Sequence, residues 1–523
     1  MIRKAGFAFG LLLALSIAAG WFGSKIPTSF LPDEDQGFVY AGIQLPDASS
    51  LQRTSEAAKE AEQLILKTPG VENVSSVIGY NMLSGVNSTF NAFFFVSFKP
   101  WAERKTPDVS YETIKKNINR ALSTVTAGLA FSFPPPSIPG VGTAGGVTFV
   151  LQDRSGKDIS FLARNTQIFM AAARKRPELG SVMTTALLSV PQVGVTVDKA
   201  KVLTQQVNLG NVYQTLQAFM GGALVNYFNR FGRQWQVYVQ ADGEYRTDAK
   251  NLGKFYVKNA TGEMVPLSTV TGIVPRSGPG FTMRFNQFQS VQINAAAAPG
   301  YSSGQAIAAL EETFRETMPS EMGFDYMGMS YQEKKASQGV SPVVVFALAF
   351  FIVFLIMAAQ YESWTLPFAV LLGTPIAVFG AFLALFGRHL ENDVYAQIGL
   401  VMLIGLAAKN AILIVEFAKM EYDKGKPLIE ASLTGAKLRL RPILMTAFAF
   451  ILGCVPLWIA SGAGGISRQV LGTVVIGGML AASLLAIFFI PVSFVVIEKF
   501  GQWIGLSEKP VSKPAEEAKG AHV

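Results

Sequence analysis

The chain has 523 residues, 50% of them hydrophobic and only 15% charged, with a mean hydropathy of +0.33; this is too long for one compact core and too apolar for an ordinary soluble protein. A formal net charge of +8 invites a nucleic-acid reading, but much of the basic excess lies beside apolar segments, where membrane topology accounts for it. The single cysteine, Cys454, excludes an intrachain disulfide framework or a cysteine metal site, and His389 and His522 leave no histidine metal cluster or histidine general base.

The first segment, MIRKAGFAFGLLLALSIAAGWFGSKIP, has two basic residues ahead of about twenty mostly apolar ones. It has the outline of a signal peptide, yet its length and the strong apolar spans downstream favour an uncleaved anchor over 1–24. Arg3 and Lys4 then stay in the cytoplasm and the region from 25 to 337 is exported.

That region alternates strands with helices. The spacing gives a strand at 37–45, a helix at 50–68 and a strand at 91–98. After the proline-rich FPPPSIPG at 133–140 come a strand at 146–152, a helix at 160–177 and a strand around 191–197. Two β-α-β units in series, with helices on one face of small sheets as in split βαβ folds, fit this order. A strand at 234–240 and the segment 286–298 imply a further subdomain, followed by a helix at 303–316 and a closing strand.

Five more spans follow, at 341–360, 366–387, 394–417, 442–460 and 470–497, so the helix plan is one plus five. The loop from Lys419 to Arg441 contains Lys419, Lys424, Lys426, Lys437, Arg439 and Arg441, whereas the opposite loops offer little beyond Arg388 and Arg468. Basic residues favour the cytoplasmic side, which places both termini there. Residues 499–523 read as a disordered cytoplasmic tail.

Lys409 is the most informative residue. Inside the fourth span its ammonium is expensive unless water or a carboxylate accompanies it, and the span ends are too distant for full relief by snorkelling. Glu416 lies two turns along a similar face but close to the boundary, and no other acidic residue of these spans reaches the depth of Lys409. Lys409 therefore belongs either to a static pair bracing two helices or to an ion relay whose carboxylates lie elsewhere. Arg439 and Thr446, seven residues apart, share a face of the fifth span; they either continue a polar path or, in the case of Arg439 and Arg441, act as plain topology anchors. Gly399, Gly405, Gly453, Gly472, Gly477 and Gly478 suit close helix approach.

Outside the membrane no phosphate-binding glycine loop and no nucleophile pair is present, so neither an enzyme nor a cofactor is expected. The segment GYNMLSGVNSTFNAFFF at 79–95 reads as a flexible loop running into a very apolar strand. Its phenylalanines suit either a core or a pocket for bulky apolar ligands.

TSFLPDEDQG at 28–37, GMSYQE at 328–333, AKNAILIVEFAK at 408–419 and RLRPILMT at 439–446 give the chain a specific resemblance, over almost its whole length, to the C-terminal half of a resistance-nodulation-division efflux pump of the hydrophobe/amphiphile exporter type. The resemblance implies a polytopic α-helical permease of the bacterial inner membrane with a large α+β periplasmic domain of ferredoxin-like subdomains. On that pattern 25–156 is the first porter subdomain, 157–201 and 299–337 form the second, 202–298 docks toward an outer-membrane channel, and 338–498 holds the five later spans. It implies a trimeric, proton-driven antiporter of hydrophobic or amphiphilic compounds, including drugs, that works with a periplasmic adaptor and an outer-membrane channel.

By the same resemblance Lys409, Arg439 and Thr446 match the proton relay. Tyr40, Tyr80, Met82, Phe95, Phe149 and Leu151 match substrate-pocket positions, while Ser75, Met82 and Val147 stand where aromatics are familiar. The family's paired membrane aspartates and its N-terminal half are not in these residues, so an N-terminal half is the expected partner, and a split gene, a truncated product or a pump half is the expected origin. A protein-export or scaffold component with the same helix plan, or a non-functional fragment, is the alternative.

Overall fold

In a computed structural model, residues 4–339 and 341–504 are described. The expected tail therefore lies largely outside the described residues; its first part, 499–504, continues the last helix, which ends at Ile504.

Among the described residues, six helical segments are long and apolar enough to cross a membrane: Ala5–Lys25, Val343–Tyr361, Leu366–Gly387, Val394–Asp423, Leu428–Trp458 and Gly465–Ile504. The fourth and fifth, of 30 and 31 residues, run well past their apolar stretches. At 1.5 Å per residue each is about 45 Å long and projects beyond a hydrocarbon layer of roughly 30 Å. The third is interrupted at Leu372–Gly373, just before Pro375, whose missing N–H cannot continue the ladder.

Small residues set how closely the spans pack. Gly380 of the third span and Gly477 of the sixth face each other so closely that a Cβ on Gly477 would lie 2.7 Å from the Gly380 carbonyl oxygen. Gly435 of the fifth span meets the fourth, where a Cβ would come within 2.6 Å of the Ala418 nitrogen. Such backbone approach is what glycine permits. At the loop ends of the fourth and sixth spans, the buried Glu498 pairs with Lys419 at 3.4 Å, and Lys419 also reaches Asp423 at 3.2 Å.

Two antiparallel sheets make up the extramembrane part of the larger unit, which comprises residues 1–156, 164–185 and 284–523. In the first sheet the strands are Phe38–Gln44, Val71–Asn81, Val86–Phe98 and Leu129–Phe133, and the spatial order is second, third, first, fourth. Helices Leu51–Leu66 and Tyr111–Leu122 complete a β-α-β-β-α-β chain order. Ser50 and Ser110 cap these helices by accepting from the Arg53 and Thr113 backbone N–H. Ala57, Ala61, Ile65, Ile114 and Ile118 of the helices enclose Val39, Ala41, Phe94 and Val96 of the sheet.

The second sheet pairs Phe288–Ala297 with Val147–Asp153 on one side and Leu179–Thr184 on the other, and Met322–Tyr326 pairs with Val147–Asp153. Helix Ser303–Thr317 starts with a capping box between Ser302 and Gln305.

The structure differs from the sequence reading beyond the first-sheet elements Val71–Asn81, Tyr111–Leu122 and Leu129–Phe133, which the pattern also missed. The strand that pairs within the second sheet is Leu179–Thr184, which the pattern missed; Val190–Val197 pairs instead with Thr271–Gly278. Segment 286–298 belongs to the second sheet rather than to the additional subdomain. In 79–95 the expected apolar strand is present, but the flexible loop leading into it is a hairpin that turns at 82–85 between two long strands.

The smaller unit, residues 157–163 and 186–283, has a core of Val202, Val207, Val212, Val257, Val265, Leu267 and Val270. Its hairpin Ala223–Arg230/Arg233–Val239 turns through Phe231 and Gly232, both with positive φ, as a tight two-residue turn requires.

Candidate functional site

Three constellations stand out, one in the membrane, one on the first sheet and one connecting them. In the fourth span, Ile398, Met402, Gly405, Lys409, Glu416 and Met420 are all exposed. Their spacing of three, four or seven residues puts them on one face. Lys409 sits near the middle of that face and makes no ion pair or hydrogen bond among the described residues. The helix runs on to Asp423, 14 residues past Lys409, beyond the apolar stretch that ends near Phe417.

On the fifth span Thr446 is exposed and donates to the Ile443 carbonyl at 3.1 Å. The Arg439 guanidinium lies 3.6 Å from the centroid of the Phe417 ring, an interaction that favours a cation over a π face. No hydrogen bond or ion pair joins Lys409, Arg439 and Thr446 to one another among the described residues. What the structure brings together is their two helices, at Gly435 and Ala418.

The first sheet explains how successive phenylalanines divide. Phe94 is fully buried against the helices, whereas Phe93 and Phe95 project from the opposite face. There Tyr40 meets Phe93, Phe95 and Phe133 at ring-centroid distances of 5.2, 5.3 and 5.7 Å. Tyr80, Met82 and Phe131 pack against the same cluster, with Met183 of the second sheet. Burial pushes the Tyr40 phenol up. A crevice lined by Gln44, Asn81, Met82, Asn91, Phe93 and Phe131, among others, leaves about 10 Å³ free, room for roughly one water.

Four of the expected pocket residues, Tyr40, Tyr80, Met82 and Phe95, thus gather on this aromatic face. Phe149 and Leu151 do not join them. Both are fully buried in the second sheet, where Phe149 stacks on Phe169 and Phe324 at 5.3 and 5.1 Å, so in this conformation they are core.

The segment 27–37 ties these parts together, a role its sequence did not reveal. The Pro27 carbonyl accepts from the Asn392 N–H at 2.9 Å and the Phe30 carbonyl from the Val394 N–H at 3.2 Å, at the start of the fourth span. Glu34 accepts from the backbone N–H groups of Ile466 and Ser467, at 3.2 and 2.7 Å, and from the Ser467 hydroxyl. A carboxylate there satisfies the free donors at the N-terminus of the sixth span. Asp35 takes a two-pronged pair from Arg104 at 2.8 and 3.2 Å, and Gln36 donates to the Pro136 carbonyl at 2.8 Å. One strap therefore touches the entry of two spans, the first sheet and the proline-rich segment.

Beside it, Asp393 caps the fourth span by accepting from the Ala396 N–H at 2.8 Å. Its side chain is buried, and burial, opposed by that N–H and reinforced by Glu391, pushes its carboxyl up to about 6. Among the described residues no group of three or more His, Cys, Asp or Glu side chains forms a metal site.

Residues 1–498 match the model of the AcrB/AcrD/AcrF family. The chain is 40% identical over 497 residues to the antibiotic efflux pump membrane transporter ArpB of Pseudomonas putida, covering 95% of this chain and 47% of that protein. It is 40% identical over 479 residues to a toluene efflux pump membrane transporter, TtgB, of the same species, covering 91% and 45%. Identity to the multidrug export protein AcrF of Escherichia coli is 42% over 479 residues, covering 91% and 46%. The chain spans about half the length of these curated relatives. With six membrane-length helices among the described residues, a mixed α+β extramembrane part and a family match over nearly its whole length, the chain belongs to the AcrB/AcrD/AcrF family.

Proposed function

We propose that this chain is the C-terminal half of a proton-driven exporter of hydrophobic or amphiphilic compounds. The observation that carries the reading is Lys409, an intramembrane ammonium exposed on one face of the fourth span and unpaired among the described residues. A carboxylate supplied by an N-terminal half would meet it, and protonation of that carboxylate would release it. Arg439 and Thr446 continue this polar path along the fifth span.

The β-α-β-β-α-β order of the first sheet and its strand sequence support reading it as a ferredoxin-like porter subdomain, with the second sheet as its neighbour. Its aromatic face, Tyr40, Tyr80, Met82 and Phe95, forms one wall of the substrate path. With an apolar aromatic surface and few polar groups, that wall suits bulky hydrophobic cargo. The smaller unit is the docking subdomain toward an outer-membrane channel. Both termini lie in the cytoplasm, the α+β part lies in the periplasm, and the assembly is a trimer that works with a periplasmic adaptor. The names of the relatives, which refer to antibiotics, toluene and multiple drugs, favour cargo of this class.

Co-expression with an N-terminal half that has two adjacent aspartates in its fourth helix is expected to restore resistance in a drug-sensitive host. Lys409→Ala abolishes that resistance at unchanged protein level. Wild-type resistance in the variant would overturn the relay assignment.

A further inference from the structure

The fifth span carries a second exposed face that the relay does not use. Lys437, Leu440, Arg441, Leu444, Met445 and Phe448, all of this helix, border a shallow, open space of about 480 Å³. Lys437 lies two residues before Arg439 and Phe448 two residues after Thr446. Two residues turn a helix by about 200°, so the groove and the Arg439–Thr446 face point in opposite directions.

The chemistry of the groove is graded along the helix axis. Lys437 and Arg441, one turn apart and exposed, make no ion pair or hydrogen bond among the described residues. The nearest acidic residue on that side, Glu430, is about 10 Å further toward the loop by helix rise. Leu444, Met445 and Phe448 continue into the apolar part of the span. Two free cations above an apolar channel are the complement of one amphiphile, whose anionic head sits at the membrane surface and whose chains run inward.

We propose that Lys437, Arg441 and the apolar groove to Phe448 form a binding site for an anionic membrane phospholipid. The head-group phosphate lies between the ammonium and the guanidinium, one turn apart. An acyl chain lies over Leu444, Met445 and Phe448. Because the groove faces away from the relay, its occupancy requires neither transport nor an N-terminal half, so the site stands whether or not the export reading does.

The test is native mass spectrometry of the purified, delipidated chain titrated with diphosphatidylglycerol, phosphatidylglycerol or phosphatidylethanolamine. Wild type is expected to prefer the two anionic lipids, and Lys437→Gln with Arg441→Gln to weaken them about ten- to thirty-fold while leaving phosphatidylethanolamine unchanged. Lys424→Gln with Lys426→Gln removes two charges from the adjoining loop, where both lysines pair with Glu421, and stays within about two-fold of wild type. The charge-conserving pair Lys437→Arg with Arg441→Lys retains anionic binding, which separates the site from a folding defect. Equal wild-type affinity for anionic and neutral lipid, or the same loss from the loop pair as from the groove pair, overturns the proposal.

Discussion

Arg104→Met tests whether the 27–37 strap is held by the contacts described above. The Arg104 side chain is 2% exposed and its Asp35 partner 20%. Methionine keeps most of the stem's volume but removes the Nε donor to the Lys99 carbonyl, at 2.8 Å, and both donors to Asp35. Breaking one side of a buried pair costs about 3–5 kcal/mol. Asp35 is partly accessible to water and keeps the Gly37 N–H at 3.0 Å, which places this case at the lower end, about 3 kcal/mol. At about 1.4 kcal/mol per factor of ten, local opening of the strap becomes roughly a hundred-fold more frequent. Hydrogen exchange of the whole chain in lipid nanodiscs reads this directly. Peptides containing Gly37 and the 99–104 turn should exchange about a hundred times faster in the variant, while peptides from the second sheet stay unchanged. Exchange of the Gly37 peptide within three-fold of wild type would refute the idea that this pair secures the strap.

Adjacent phenylalanines should behave oppositely: Phe94→Ala, at a site with 0% exposure, destabilises the first sheet by about 3–5 kcal/mol, whereas Phe95→Ala, 41% exposed, leaves the unfolding temperature close to wild type and alters the pattern of drugs exported by a reconstituted pump. Asp393 has an ordinary value of 3.8 and a folded value of about 6. The native chain therefore holds the extra proton between these values, and stability falls as pH rises from about 4 to 6, by roughly 3 kcal/mol at most. Asp393→Asn, which keeps a capping oxygen, should raise the melting temperature at pH 7.5 and do little at pH 4.5; an equal gain at both would remove burial of this carboxylate as the cause.

Much of this was legible in the chain itself. Uncharged runs of membrane length identified the spans because water is absent from the bilayer core and backbone groups must bond within a helix. Lys409 was conspicuous for the same reason. What a strand sequence could not decide was which of its two apolar faces is covered. NAFFFVSF places phenylalanines on both sides, and only the helices over Phe94 select the core. Leu179–Thr184 escaped notice because LGSVMT is short and mostly small or polar, while VPQVGVTV offers a stronger alternation to a different partner. The strap was visible only as a motif. Three acids in PDEDQ after a membrane helix are a usable signal, but their partners at 104 and at 466–467 are distant in sequence and no local rule pairs them.

The glycines sharpen the reading of the open membrane face. Of the six singled out for close approach, Gly399, Gly472, Gly477 and Gly478 are filled by neighbouring helices of this chain, while Gly405 and Gly453 have nothing within 4 Å among the described residues. Gly405 lies one turn before Lys409, and Gly453 lies seven residues after Thr446, on the same faces as those polar groups. An ammonium facing hydrocarbon and a flat glycine surface without contacts are separate liabilities, the first costing about 2.5–3.5 kcal/mol on insertion scales. A single helix carrying a carboxylate, packed closely at Gly405, relieves both. Gly405→Leu should therefore leave the chain folded on its own, because the added side chain meets no neighbour. It should nonetheless abolish co-purification with an N-terminal half. Gly478→Leu should instead disrupt the chain itself, since even a Cβ there collides with Leu403 and lies 3.1 Å from the Ala377 carbonyl oxygen. If Gly405→Leu retained full association with the other half, the exposed face of the fourth span would not be where that half packs, and Lys409 would need a partner approaching from another direction.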